Sequence, residues 1–269
     1  MTRSVAAYGT VAVHGLRAAP GTPVPKTHLP SLRRPSSAAY NSVNWSGYAD
    51  TADSKQKFNA VSTEFTVPDV NCAESADGPF GSSWPYGAWV SEWAGLDGFN
   101  GSTVEQEGVE VGCATPESSP EYIAWYEMYP LDPVTYTGIN PGDAIQVQTA
   151  EYKDGDYLLS LTDLTTGFGF SATEACPAKS KCDSASAEVI TEAPYEAGYL
   201  PLADYAQTDY AGTWVEANHT AKDKATLAKS KWWAANSITM VSDTTPSDKE
   251  SLPGPLEGGA DFYTTWKAN

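Results

Sequence analysis

The sequence predicts an all-β protein, a sandwich of two antiparallel sheets of the jelly-roll kind. Three observations carry that expectation. Short aromatic or β-branched runs recur from Asn41 onward, each closed by Gly, Pro, Asn or Asp. Trp and Tyr, which favour strands, number 9 and 15. Hydrophobic residues make up 41% of the 269, enough for a packed core, and no run approaches the roughly 20 apolar residues of a membrane span.

Taken in order, residues 1–40 read as a leader or pro-segment. Arg3 precedes a weakly apolar Val5–Gly15, which makes a poor signal peptide. Pro20, Pro23, Pro25, Pro30 and Pro35 then favour an extended chain. Five basic and no acidic residues lie in this segment, so it has the charge to dock on an acidic body, a contact that acidification would weaken. One domain is expected over 41–269. Its strands are expected at Trp45–Ala49, Phe58–Val67, Gly87–Trp93, around Gln106, at Glu121–Tyr129, Asp143–Ala150, Tyr157–Thr162, Ala187–Thr191, Thr213–Ala217, Ser237–Val241 and Asp261–Trp266. Thr220–Ala235 is ambiguous: its Ala, Lys and Leu content suits a helix, while Trp232-Trp233 suits the start of a strand.

The four cysteines, Cys72, Cys113, Cys176 and Cys182, form no metal-binding spacing. Two disulfides in an oxidising, extracellular setting are expected. Of the three possible connectivities, Cys72–Cys113 with Cys176–Cys182 is preferred as the sequence-local one; buried free thiols are the alternative.

The net charge of −18 is uneven. Beyond residue 40 there are 34 acidic and 11 basic residues, and no arginine follows Arg34. Such a body does not bind nucleic acid through its phosphates. It is either an ordinary soluble surface or an acid-adapted one, on which protonation relieves self-repulsion and few cations remain to repel one another.

The residue inventory then removes several chemistries. His219 is the only histidine after residue 40, and neither G-x-S-x-G nor H-E-x-x-H is present. A phosphate-binding glycine loop is also absent, as are the paired D-T-G or D-S-G segments of a pepsin-like aspartic peptidase. No metal or cofactor is expected. Carboxylates, amides and aromatics on a sandwich remain, a set suited to acid hydrolysis of peptides or glycosides.

Three segments concentrate those residues. They are Trp93-x-Gly95-x-Asp97-Gly98 followed by Gln106-x-Gly108, then Ala124-Trp125-Tyr126-Glu127-Met128-Tyr129-Pro130, then Ala187-Glu188-Val189-Ile190-Thr191-Glu192-Ala193-Pro194. With Asn44-Trp45-Ser46-Gly47, Leu164-Thr165-Thr166-Gly167 and Leu202-Ala203-Asp204-Tyr205, this ordered set resembles the glutamic peptidases (eqolisins), and the resemblance runs from about Asn41 to the end. It implies a concanavalin-like sandwich with polypeptide substrate across a concave face, in a secreted, monomeric enzyme. By motif position Gln106 is similar to the family's dyad glutamine and Glu192 to its dyad glutamate. The implied mechanism has Glu192 deprotonate an attacking water and return the proton to the leaving amine, with the Gln106 amide holding the oxyanion. Trp93, Asp97, Trp125, Glu127 and Tyr129 are expected to line the substrate site.

Elementary strand geometry is compatible with this. Alternate side chains share a face, so Trp125, Glu127 and Tyr129 point together, as do Glu188, Ile190 and Glu192. Two features depart from the family pattern: Glu107 stands where a small or hydroxyl residue is usual, and Val189 where an aromatic is usual. Parity turns Glu107 away from Gln106 and Val189 away from Glu192, unless a bulge intervenes. Two rival readings use the same residues: a β-sandwich glycoside hydrolase pairing Glu127 with Glu192, and a non-catalytic carbohydrate-binding module in which Gln106 has no chemical task.

Overall fold

Period-two burial organises the described residues into sixteen strands and almost nothing else. The structure, a computed structural model, describes residues 37–52, 56–75, 87–99, 101–196, 198–228, 233–242 and 245–267; the expected leader lies outside them except for its last four residues. In chain order the strands are β1 (Ala39–Ser42), β2 (Trp45–Ala52), β3 (Phe58–Thr66), β4 (Ala88–Asp97), β5 (Val104–Cys113), β6 (Glu121–Tyr129), β7 (Val134–Tyr136) and β8 (Ala144–Glu151). They continue as β9 (Asp156–Asp163), β10 (Gly169–Ala175), β11 (Ser186–Glu192), β12 (Gln207–Ala217), β13 (Lys224–Ala225), β14 (Trp233–Val241), β15 (Lys249–Pro253) and β16 (Phe262–Trp266). A single helical turn, α1 (Cys72–Ser75), precedes β4.

The hydrogen-bonded path runs β10-β9-β8-β3-β12-β16-β15-β14-β2-β11-β4-β5-β6-β7. Its pairs are antiparallel; β1 joins β14 in parallel and β13 joins β12. The path doubles back so that β4 and β5 lie over β3, β8 and β9, which are not their ladder neighbours. The result is the expected two-layer sandwich.

Parity decides what each face of the β2-β11-β4-β5-β6 layer carries. Tyr48, Val90, Ala94, Leu96, Val109, Val111, Ala187 and Val189 turn inward and meet Val61, Ile145, Val147, Leu159 and Leu161 from the other layer in one buried cluster. Trp45, Ala49, Trp93, Val104, Trp125 and Ile190 turn to the opposite face and form a second cluster with Ile238. A sheet that buries apolar residues on both faces has a task on each.

Both disulfides have the preferred connectivity, Cys72–Cys113 and Cys176–Cys182. The first ties α1 to the end of β5. In the ambiguous Thr220–Ala235 stretch, the strand alternative holds. Ala221–Asp223 makes one 3-10 turn and β14 begins at Trp233. Trp233 packs edge-on against Phe58 at 5.7 Å and donates its Nε1–H to the Leu227 carbonyl at 3.2 Å. Burial of the large indole thereby outweighs local helix propensity.

Candidate active site

The ladder registers put the outer-face residues in rows. Glu188, Gly95, Gln106 and Glu127 are aligned across β11, β4, β5 and β6. The next row is Ile190, Trp93, Gly108 and Trp125, and the one after it Glu192, Ser91, Glu110 and Ile123. Trp45 of β2 adjoins Glu192. The site is thus an aromatic row between two rows of carboxyl and amide groups.

Gln106 is buried and its Nε2 donates to Glu127 Oε2 at 2.8 Å. Its second N–H is left for another acceptor. Glu192 is buried and receives two donors, Trp93 Nε1 at 2.8 Å and Asn44 Nδ2 at 3.0 Å. Gln106 and Glu192 stand two strands apart and four residues out of register. Trp93 bridges that interval: its Cζ3 edge lies over Gly95 beside the Gln106 side chain, while its Nε1 edge meets Glu192. Gly95 permits this, because a Cβ there would lie 2.9 Å from Gln106 Cβ and 3.1 Å from Trp93 Cζ3. Trp45 supports the indole from behind, edge-on at 5.0 Å.

The other expected lining residues divide. Glu127 touches Gln106 directly. Trp125 pairs with Gly108 and belongs with Trp93 to the outer cluster, against which Tyr129 packs. Asp97 is placed differently. It ends β4 with φ 67° and accepts the N–H groups of Ser184 and Ala185, so both its oxygens hold the start of β11. Glu127 and Glu192, the pair a two-carboxylate glycosidase would need, are three strands apart, about 14 Å laterally before their register offset is counted.

Glu107 faces the interior, as parity requires, because the β4–β5 and β5–β6 ladders run without a shift. Its Oε2 accepts from Thr149 Oγ1 at 2.7 Å in the opposite layer, and burial holds its carboxyl well above the usual range. Val189 likewise joins the inter-sheet core.

Behind the site, Glu92 of β4 accepts from Thr191 Oγ1 at 2.6 Å, from Thr208 Oγ1 at 2.8 Å and from the Tyr210 hydroxyl. Thr191 also meets Thr264 at 2.6 Å. This network clamps the strand that carries Glu192 to β12 and β16, and burial pushes the Glu92 carboxyl up to about 7. Elsewhere, Asp183 pairs with Lys181 at 2.6 Å and with Lys57 at 3.8 Å, and His219 Nε2 lies 3.8 Å from Glu151.

Sequence reasoning did not single out Asn44 as a partner of Glu192, although Asn44 opens one of the matched motifs. It also passed over Glu110. Period two from Gln106 through Gly108 was the available signal for Glu110, and it was masked by the abundance of glutamates.

A family profile for the peptidase A4 family matches residues 43–252. Aspergillopepsin-2 of Aspergillus niger is 29% identical over 184 residues, 63% of this chain and 62% of that protein, so the chain spans less than two thirds of that relative's length. Among solved structures, a scytalido-glutamic peptidase with a transition state analog inhibitor superposes with TM-score 0.65 at 20% identity, covering 84% of this chain and 98% of the other. SCP-B, described as a member of the eqolisin family in a complex with the tripeptide Ala-Ile-His, superposes with TM-score 0.63 at 19% identity over 84% and 98%. The fold is therefore shared with both.

Proposed function

The chain belongs to the peptidase A4 family, and on that premise we propose that it is an acid-acting endopeptidase whose working pair is Gln106 and Glu192. Polypeptides are its substrates, and it acts outside the cell as a monomer. Glu192 takes a proton from water as the water attacks the peptide carbonyl. The free N–H of Gln106 stabilises the oxyanion of the tetrahedral intermediate. No covalent acyl-enzyme forms.

The observation that carries this reading is the contrasting dress of the two groups on one sheet face. Glu192 receives two N–H donors, which favour its ionised, basic form. Gln106 is an uncharged amide held at one hydrogen by Glu127. A base and an oxyanion donor flank one indole, and a glycosidase or a passive binding module would give Gln106 no chemical role.

The test is peptide mapping of a denatured protein after incubation at about pH 3–5, the range across which a glutamate base becomes ionised. Glu192→Gln is expected to lower turnover roughly 10²–10⁴-fold and Gln106→Ala roughly 10²–10³-fold, each with an unchanged fold. Retained activity in either variant removes that residue from the mechanism, and an optimum above neutrality contradicts the acid reading. Pepstatin-type compounds, built for an aspartate pair, are expected to inhibit little.

A further inference from the structure

The row that holds Glu192 contains a second carboxyl on the same face. Glu110 stands directly across Ser91 from Glu192, about 10 Å away between Cα atoms, or two strand spacings. The Ser91 side chain stands between them. Glu196, on the turn leaving β11, approaches the same point, and Trp89, Ile123 and Leu200 close that end of the face.

The two carboxyls are equipped for opposite protonation states. Glu192 has the N–H donors a carboxylate requires. Glu110 is 2% exposed, and its Oε1 has no hydrogen-bond partner. A buried carboxyl oxygen without a donor favours the protonated form, and two neighbouring carboxyls with unequal surroundings divide into one acid and one base. The groups facing Glu110 are Glu192 from β11 and Glu196 from the turn, with uncharged Ser91 from β4 and Ile123 from β6. Among the described residues that face it, none is a cation. Burial first, and then the charges of Glu192 and Glu196, push the Glu110 carboxyl upward.

Gly108 lies midway between Gln106 and Glu110 on the same face and lets β4 come close: a Cβ there would lie 2.2 Å from the Glu92 carbonyl oxygen and 2.7 Å from Trp93 Cβ.

Resting on the peptidase reading above, we propose that Glu110 is a catalytic carboxyl, the acid that protonates the departing amine, while Glu192 acts as the base. Glu192 removes one proton from water, and the remaining hydroxide bonds to the carbonyl carbon. As the C–N bond breaks, its electron pair takes the Glu110 proton and the amine leaves. Glu192 then returns its proton to the Glu110 carboxylate, directly or through water, and the pair is reset. The family resemblance assigns both transfers to the one glutamate; here they are divided.

The test compares a peptide with the thiodepsipeptide of the same sequence, in which sulfur replaces the scissile nitrogen. A thiolate, with a pKa near 8.5, departs without an acid, whereas an amide nitrogen cannot. Glu110→Gln is expected to lower kcat on the peptide about 10²–10⁴-fold with KM little changed, and to leave thiodepsipeptide turnover near the parent's. Glu192→Gln is expected to lose both. If Glu110→Gln cleaves the peptide at the parent rate, or loses both substrates equally, the assignment is overturned. Should Glu110→Gln not fold by thermal melting, Glu110→Asp carries the comparison: its peptide turnover must fall by more than its thiodepsipeptide turnover, and equal falls overturn the proposal. A parent inactive on both substrates at acid pH would instead remove the peptidase reading itself.

Discussion

A glutamine can serve an oxyanion only if its amide is held, because the side chain is long, uncharged and rotatable. Glu127 supplies that restraint through the 2.8 Å bond to Gln106 Nε2. A hydrogen bond contributes about 0.5–3 kcal/mol, according to whether its partner is charged, so Glu127→Ala is expected to lower kcat roughly 2–150-fold in the peptidase assay. Glu127→Gln still presents a carbonyl to Gln106 and should recover much of that loss; if both variants fall equally, Glu127 acts by some route other than orientation. At this scale the geometry of the candidate site was partly legible. Gln106, Glu192 and Glu127 were marked by ordered motifs, and the direction of Glu107 followed from parity. The contacts of Asp97 were not legible, because its partners Ser184 and Ala185 are distant in sequence and meet it only in the fold. Asn44 was hidden for the same reason, being 148 residues from Glu192.

Strands β4 and β5 carry the site, and their glycines set how closely its parts approach. A Cβ on Gly108 would lie 2.2 Å from the Glu92 carbonyl oxygen and 2.7 Å from Trp93 Cβ. Neither obstacle is the free end of a flexible chain, so β4 would have to move. Gly108→Ala is expected to destabilise by about 1–3 kcal/mol, the usual range for overpacking. It should also lower kcat, since Trp93 is the residue that meets Glu192. A melt and a rate at one pH measure both, and a variant with parental stability would show that the two strands separate freely. Long alternating strands such as β4, β6, β8 and β11 were readable from sequence, since each buries one or both faces. The strands that escaped notice are short or polar: β1, β7, β10, β13 and β15. The exposed alternation of β10, Gly169–Ala175, packs too little apolar surface to leave a pattern. Its pairing with β9 is set by the hairpin that precedes it.

For the molecule as a whole, the decisive feature is acid without cation. Asp50, Glu92, Glu105 and Glu107 all turn into the interior of the sandwich and are buried. Burial raises all four carboxyls, with Glu92 at about 7 and Glu105, further raised by Asp97, at about 9. A carboxyl whose folded pKa lies above its unfolded value binds its proton more tightly in the native state. Its contribution to stability is complete below the unfolded value, near 4, and is lost as pH rises through the folded value. The cited shifts put that loss between about pH 4.5 and 9. Self-repulsion from the net charge of −18 grows over the same interval and acts in the same direction. The fold is therefore expected to be most stable in acid and to melt progressively lower towards neutrality. Glu107→Gln isolates one contributor. The glutamine keeps an oxygen for the Thr149 hydroxyl but cannot ionise. At about pH 3–4 the variant should melt within a degree or two of the parent, and at pH 7–8 it should melt higher, by about 2–4 °C for each kcal/mol recovered. Thermal melts of both proteins across that range decide the matter: a parent whose midpoint climbs from pH 4 to pH 8, or a variant that gains nothing at neutral pH, would show that the interior carboxyls enter the fold already ionised.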